Sequence, residues 1–211
     1  MFLKICGITR RDDALTAVEC GATALGFVFW PGSPRYVMPE RAAEIIADVP
    51  NHVTTVGVFV DESVEHVREV LATSGVGTVQ LHGNEPPEYA AKLEGPVLRA
   101  IRVDEAGRVC AAWPRGTTFL LDSADPARRG GTGVVVDWER AAPVARAWRV
   151  VLAGGLTPVN VAAAIATVRP VGVDVSSGVE DAPGVKSADK VARFLASARR
   201  ALEHTTGGDR L

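Results

Sequence analysis

Short apolar runs alternate along this chain with longer segments in which apolar residues recur at helical spacing. Alternate residues of a strand share one face of the sheet. The first run, residues 2–10, therefore predicts one face with Lys4, Cys6 and Ile8 and an opposite face with Leu3, Ile5 and Gly7. A lysine in the middle of an apolar strand is unusual, so we expect later segments to supply its partners.

Strand-like runs followed by helix-like segments recur to the end of the chain. The predicted strands cover residues 2–10, 24–30, 54–60, 78–83, 97–103, 118–123, 150–155 and 172–178. The predicted helices cover residues 11–20, 39–48, 63–73, 106–113 and 187–202, and three more begin near Pro86, Asp137 and Thr157. Thr157-Pro158 has the residue types that favour a helix start, an N-cap and a proline in the first turn.

These repeated units predict an α/β protein, a single-domain (β/α)8 TIM barrel over residues 1–203, with a frayed C-terminal tail over 204–211. A doubly wound open sheet is the alternative. No Gly-x-Gly-x-x-Gly motif follows the first strand, and the ends of the seventh and eighth strands both suit an anion. These two features favour the barrel.

The composition narrows the classes of function. The 211 residues are 47% hydrophobic and carry a formal net charge of −2, so electrostatics favour neither nucleic acid nor a membrane as partner. Lys4 interrupts an N-terminal apolar stretch that is too short for a signal peptide, and no run reaches the roughly 20 residues of a membrane span. The three cysteines lack the spacing of a zinc site or disulfide framework, so we expect reduced thiols and a cytoplasmic protein.

In such a barrel the functional site lies at the carboxyl ends of the strands. The loops after the seventh and eighth strands contain Gly154-Gly155 and Ser176-Ser177-Gly178. Their backbone N–H groups suit a phosphate dianion, although ordinary tight turns have the same composition. The other polar residues at predicted strand ends are Cys6, Gln80, His82, Asp122 and Asp174.

The thiol and the two acids each allow more than one interpretation. Cys6 is either a small buried hydrophobe or, as a thiolate favoured by the cation of Lys4, a nucleophile or general base. Asp122 is either the partner of a buried cation or a general acid whose pKa is raised by burial. Asp174 is similar, and we expect one of the two acids to pair with Lys4.

Two further side chains and one loop are candidates. His82 is an acid or base, or a packed supporting residue. Arg35, in the loop of residues 31–36, clamps a substrate carboxylate or remains a solvated charge. The irregular stretch 124–134 contains Gly130-Gly131-Thr132-Gly133 and is long enough to form a lid.

An ordered set of motifs extends from Lys4 to Lys186. The motifs are Lys4-Ile5-Cys6-Gly7-Ile8-Thr9, Gly26-Phe27-Val28-Phe29, Ser33-Pro34-Arg35-Tyr36, Gln80-Leu81-His82-Gly83, Leu120-Leu121-Asp122-Ser123, Gly130-Gly131-Thr132-Gly133, Asp137-Trp138, Leu152-Ala153-Gly154-Gly155-Leu156, Val173-Asp174-Val175-Ser176-Ser177-Gly178-Val179-Glu180 and Pro183-Gly184-Val185-Lys186. Each motif is moderately specific, and the ordered set is highly specific. The set resembles that of the phosphoribosylanthranilate isomerases of tryptophan biosynthesis.

The resemblance implies a barrel without cofactor or metal. It implies an Amadori rearrangement of N-(5-phosphoribosyl)anthranilate to 1-(2-carboxyphenylamino)-1-deoxyribulose 5-phosphate. By motif, Cys6 is the general base, Asp122 is the general acid, and Arg35 meets the anthranilate carboxylate. The remaining implied contacts are Gln80, His82 and Asp174 to substrate, and Gly154, Gly155, Ser177 and Gly178 to phosphate. We expect a small-molecule phosphosugar partner, and a monomer rather than a homodimer.

The chemistry sets requirements for the two central residues. Asp122 must start protonated, which an apolar strand end promotes, and Cys6 must be deprotonated, which Lys4 is expected to promote. The anthranilate nitrogen supplies the electrons, so no lysine Schiff base is needed. Of the four lysines, Lys4 alone is predicted to lie on a strand.

Two places depart from the pattern of the family. Val134 stands where a basic residue is common, and Trp30 and Gly32 stand where Tyr and Lys are common. We expect these changes to affect substrate affinity rather than the type of reaction.

Three rival functions are less consistent with the residues. The aminoaldose isomerase of histidine biosynthesis is built on two similar halves with paired aspartates, whereas this first strand carries Cys6. Indole-glycerol-phosphate synthase relies on strand-end lysines that this chain lacks. A non-catalytic phosphosugar-binding barrel would lose the acid or the base, whereas both Cys6 and Asp122 are present.

Overall fold

A computed structural model describes residues 1–123 and 136–207, and its eight main strands form one closed parallel barrel. These strands are β1 (Phe2–Cys6), β2 (Ala24–Val28), β3 (Thr54–Phe59), β4 (Thr78–Leu81), β5 (Val97–Arg102), β6 (Thr118–Asp122), β7 (Arg149–Leu152) and β8 (Gly172–Val175). Each pairs with the next, and β8 pairs with β1. The predicted (β/α)8 barrel is therefore confirmed.

Helices cover the outside of the barrel. They are α1 (Arg11–Glu19), α2 (Pro39–Ile46), α3 (Val64–Ser74), α4 (Pro87–Ala90), α5 (Ala106–Ala112), α6 (Trp138–Ala147), α7 (Val161–Val168) and α8 (Ala188–Gly207). A short hairpin, β9 (Glu180–Ala182) and β10 (Val185–Lys186), follows β8. Among the described residues, no helix has the length and apolarity needed to cross a bilayer.

The first strand sorts its side chains into two layers. Leu3 and Ile5 belong to the large core between the strands and the helices, whereas Lys4 and Cys6 lie inside the barrel. Ile8 was predicted to share the face of Cys6, and this is wrong because β1 ends at Cys6. Gly7, with φ of +75°, then turns the chain and brings Ile8 into the same core as Leu3.

Two helix boundaries differ from the predictions. The regular part of helix α7 begins at Val161 and not directly after Thr157. The predicted cap is nevertheless present, because Thr157 Oγ1 accepts hydrogen bonds from the N–H groups of Val159 and Asn160, as an N-cap side chain does. Helix α8 continues to Gly207, so residues 204–207 are helical and not part of a frayed tail. Thr205 Oγ1 donates to the carbonyl of Leu202 in this last turn. The predicted lid, residues 124–134 with Val134, and residues 208–211 lie outside the described residues.

Candidate active site

Lys4 and Asp174 form an ion pair inside the barrel. The register of β1 and β8 places the two residues opposite each other, and Lys4 Nζ donates to Asp174 Oδ1 at 3.0 Å. Lys4 is 0% exposed. Burial lowers its pKa, but the carboxylate of Asp174 and the sulfur of Cys6 outweigh burial and raise the pKa of Lys4 overall. Of the two candidate acids, Asp174 is therefore the one that pairs with the ammonium of Lys4.

Cys6 lies beside this pair at the carboxyl end of β1. A Cβ atom on Gly26 of β2 would lie 2.7 Å from Cys6 Sγ and 2.9 Å from Lys4 Nζ, so only glycine leaves room for both side chains. Burial raises the pKa of the Cys6 thiol, and the nearby Lys4 ammonium opposes this effect without cancelling it. Lys4 therefore favours the thiolate, as expected, but burial has the larger effect and the pKa of Cys6 is raised overall.

Asp122 ends β6 with both carboxylate oxygens in contact with donors. His82 Nε2 lies 3.3 Å from Oδ2, and the backbone N–H of Ser123 donates to Oδ1 at 2.7 Å. Burial raises the pKa of Asp122, but the contacts with His82 and Ser123 and the charge of Lys4 outweigh burial and lower it overall. The predicted raised pKa of Asp122 is therefore wrong for this structure, because the strand end supplies hydrogen bonds that the sequence did not reveal.

Gln80 sets the orientation of His82. Gln80 Nε2 lies 3.0 Å from His82 Nδ1, and an amide nitrogen can only donate. With the amide in this orientation Nδ1 accepts, which places the ring proton on Nε2, on the side of Asp122. His82 therefore contacts a candidate acid, an arrangement that fits both an acid or base and a residue that supports Asp122.

Arg35 is held by an acidic residue of the hairpin that follows β8. Its Nε and Nη2 donate to the two carboxylate oxygens of Glu180 at 2.9 and 2.8 Å, and Lys186 Nζ donates to Glu180 Oε1 at 2.7 Å. Arg35 is only 8% exposed, so it is not a solvated charge.

Lys186 lies in β10, so the expectation that Lys4 is the one lysine on a strand is wrong. Burial raises the pKa of Glu180, but the two cations outweigh burial and lower it.

All of the side chains that the sequence placed in the catalytic and substrate sites line one pocket at the carboxyl end of the barrel. They are Cys6, Arg35, Gln80, His82, Asp122 and Asp174, joined by Trp30 and Ser176. An adjoining pocket is lined by the predicted phosphate residues Gly154, Gly155, Ser177 and Gly178. Asp122, Asp174 and Ser176 line both pockets, so the two form one continuous site.

The second pocket is a cradle of backbone groups. Gly154 and Gly155 have φ of +73° and +64°, a conformation that favours glycine, and a Cβ atom on Gly178 would collide with the carbonyl oxygen of Leu156. Within residues 1–123 and 136–207, the N–H groups of Gly154, Gly155, Ser177 and Gly178 donate to no backbone carbonyl. Such converging donors suit a phosphate.

Two residues next to the site were not predicted as functional. Glu180 and Lys186 lie within the motifs, and the opposite charges flanking the turn at Pro183-Gly184 were the available signal. Gly32 has a structural explanation, because a Cβ atom there would lie 2.5 Å from the indole ring of Trp30. The departures at Trp30 and Gly32 therefore belong together.

Comparisons with known proteins agree with this geometry. The family model described as N-(5'phosphoribosyl)anthranilate (PRA) isomerase matches residues 3–197. The N-(5'-phosphoribosyl)anthranilate isomerase of Trichlorobacter lovleyi is 52% identical over 204 residues, which cover 95% of this chain and 98% of that protein. The crystal structure of the Thermotoga maritima phosphoribosyl anthranilate isomerase is 42% identical with a TM-score of 0.88, covering 95% and 99% of the two chains. A structure of such an isomerase in complex with reduced 1-(o-carboxyphenylamino)-1-deoxyribulose 5-phosphate is 41% identical with a TM-score of 0.85, with the same coverage.

Proposed function

The chain belongs to the N-(5'-phosphoribosyl)anthranilate isomerase family, and we propose that it performs the reaction of that family with Cys6 as general base and Asp122 as general acid. The reaction is the Amadori rearrangement of N-(5'-phosphoribosyl)anthranilate to 1-(2-carboxyphenylamino)-1-deoxyribulose 5-phosphate, in tryptophan biosynthesis. The observation that carries these roles is that Cys6 and Asp122, on β1 and β6, line one pocket that continues into the backbone cradle.

Asp122 starts the reaction by protonating the ring oxygen of the ribose. The bond between C1 and the ring oxygen breaks, and the lone pair of the anthranilate nitrogen forms an iminium ion. Cys6, as a thiolate, then removes the proton from C2, and the electrons of that C–H bond neutralise the iminium to give an enolamine. Loss of the proton from the C2 hydroxyl and gain of a proton at C1 give the ketone.

In the free site both pKa values are shifted away from this arrangement, because burial raises the pKa of Cys6 whereas His82 and Ser123 lower that of Asp122. A phosphate dianion in the cradle next to Asp122 disfavours a second negative charge there. Substrate binding therefore favours the protonated acid.

Binding is assigned to the two ends of the continuous site. Gly154, Gly155, Ser177 and Gly178 hold the phosphate through their N–H groups. Arg35 binds the anthranilate carboxylate, since two of its nitrogens are held by Glu180 while Nη1 makes no hydrogen bond within the described residues. Gln80, His82 and Asp174 line the remaining wall.

We also propose a monomer in the cytoplasm. The large apolar side chains exposed among the described residues are Met1, Tyr36, Met38 and Val159, which are few for an obligate interface. The three cysteines are free, which fits a reducing compartment. Light scattering on the purified protein tests the monomer, and a mass twice that of the chain would overturn it.

The test of the two roles is turnover of freshly made phosphoribosylanthranilate, followed by loss of its fluorescence. Cys6→Ala and Asp122→Asn should each lower kcat by about 100-fold or more, with thermal unfolding close to that of the wild type. Cys110→Ala is the matched control, because Cys110 is a buried free cysteine of α5 outside the site. Wild-type activity in either site variant would contradict the corresponding role.

A further inference from the structure

The side-chain amide of Gln80 has one atom that the structure leaves without a partner. Gln80 is 1% exposed, and its Oε1 has no hydrogen bond within the described residues, while its Nε2 donates to His82 Nδ1. Buried polar atoms of native proteins are nearly always hydrogen-bonded. An orphaned acceptor next to the ring that contacts the proposed acid therefore requires an explanation.

Each end of the Gln80 amide suits one tautomer of His82: the nitrogen can donate to a bare Nδ1, and the oxygen can accept from a protonated Nδ1. In the orientation of the structure Gln80 Nε2 donates to Nδ1, which goes with a ring proton on Nε2, 3.3 Å from Asp122 Oδ2. After a half-turn of the amide, Oε1 would accept a proton carried on Nδ1. His82 Nε2 would then be free to lose its own proton.

We propose that Gln80 and His82 form a relay that loads Asp122 with the proton it gives to substrate. A proton from solvent adds to His82 Nδ1 as the amide turns, which gives the imidazolium. The Nε2–H bond then breaks and the bond from Asp122 Oδ2 to hydrogen forms, over the observed separation of 3.3 Å closed to hydrogen-bond distance. His82 ends neutral with its proton on Nδ1. This step rests on the role proposed above for Asp122, and it makes Gln80 a positioning residue.

Charged groups face the relay from several elements. Lys4 and Cys6 of β1, Asp174 of β8 and Arg35 of the loop after β2 share the pocket, where Lys4 is paired with Asp174 and Arg35 with Glu180. On the loop of His82, Glu85 accepts from the N–H of Gly83 and is paired with Arg99 of β5, which also donates to the carbonyls of Leu81 and Gly83.

The side of His82 toward β3 carries apolar side chains. Val58 and Val60 line the pocket there, while Asp61 accepts from the N–H of Asn84. Asp122 is therefore the acidic group in direct contact with the ring.

The first test observes the tautomer directly by 15N NMR of protein labelled in its histidine rings. The neutral form of His82 should carry its proton on Nε2 in the wild type. In Gln80→Glu, a carboxylate facing Nδ1 should raise the pH at which His82 gains its second ring proton by about one unit or more. In Gln80→Met, which has similar length without the amide, the Nδ1–H tautomer should become populated. His66, exposed on α3, serves as the internal control and should not shift.

The second test is the pH profile of kcat/KM. In Gln80→Glu the pH of the alkaline limb should rise by the same amount as the NMR midpoint of His82. At a given alkaline pH, more molecules then still hold the proton that His82 passes to Asp122. A purely structural role for Gln80 would lower activity at every pH without moving the limb.

Three results would overturn the relay: an Nδ1–H tautomer in the wild type, an unshifted midpoint in folded Gln80→Glu with no change of tautomer in Gln80→Met, or a shifted midpoint with an unmoved limb. The NMR arm needs no substrate, so failure of the roles of Cys6 and Asp122 is seen separately, in the turnover of their own variants.

Discussion

The ammonium of Lys4 and the carboxylate of Asp174 make a buried ion pair, 3.0 Å from Nζ to Oδ1, across neighbouring strands of the barrel. Because both charges are buried, replacing one residue leaves the other without its partner. The loss of stability therefore depends on whether one or both residues are replaced.

Lys4→Met should destabilise the protein by about 3–5 kcal/mol, because it leaves the carboxyl group of Asp174 buried without its cation. Urea unfolding followed by circular dichroism measures the loss. The variant should also raise the pKa of Cys6 further, since Lys4 lowers it in the wild type. Adding Asp174→Asn should restore part of the stability, and a double variant as unstable as Lys4→Met alone would contradict this explanation.

Gly154→Ala should cost more stability than Gly75→Ala. Both glycines have nearly the same φ, +73° and +72°, so an alanine is strained by a similar amount at each. A Cβ atom on Gly154 lies 2.6 Å from both Ser123 N and Val136 Cγ2, whereas one on Gly75 meets nothing within 4 Å. The difference in unfolding free energy therefore measures the collision. Equal losses would show that the cradle adapts, and affinity for inorganic phosphate should then also be unchanged.

Arg35→Lys should raise KM for phosphoribosylanthranilate by about tenfold or more, with a smaller effect on kcat. A lysine cannot hold Glu180 through two nitrogens and still present a third to the substrate. Steady-state kinetics separates the two constants. Arg11→Lys, at an exposed ion pair on α1, is the control and should change neither. A fall in kcat at constant KM would remove Arg35 from substrate binding.

The protein should lose stability between about pH 9 and 11. Burial raises the pKa of Cys110 from 9.0 to about 11, so the folded state keeps a proton that the unfolded state has lost. The free energy of unfolding is unaffected by the titration of Cys110 below the pKa of the unfolded state, 9.0. It falls by up to about 1.4 kcal/mol per pH unit as the pH rises from there toward the folded-state pKa of about 11. Urea unfolding in a series of alkaline buffers measures the slope.

Cys110→Ala should reduce this alkaline slope, whereas Cys20→Ala should change it less, because Cys20 is only partly buried. An alkaline slope identical in Cys110→Ala and the wild type would assign the loss to other groups. Cys6, whose pKa burial also raises, and Tyr89, with a pKa raised to about 12, are then the next candidates.

The sequence by itself determined the barrel and the membership of the site. Continuous apolar strands alternating with helical segments lead to a closed parallel sheet, and parallel strands bring their carboxyl ends together. That is why Cys6, Gln80, Asp122 and Asp174 could be assigned to one site from their positions in four strands. The glycines of the backbone cradle were predictable for the same reason, since tight turns at strand ends are rich in glycine.

Only the tertiary structure decided how these groups are paired and charged. Lys4 is 170 residues from Asp174, and Arg35 is 145 residues from Glu180. Strand register and a short hairpin select these partners, and neither follows from local periodicity. The protonation of Cys6 and Asp122 depends on opposing effects of burial and of neighbours from other strands. The balance of those effects is set by distances of a few ångströms, which exist only in the folded barrel.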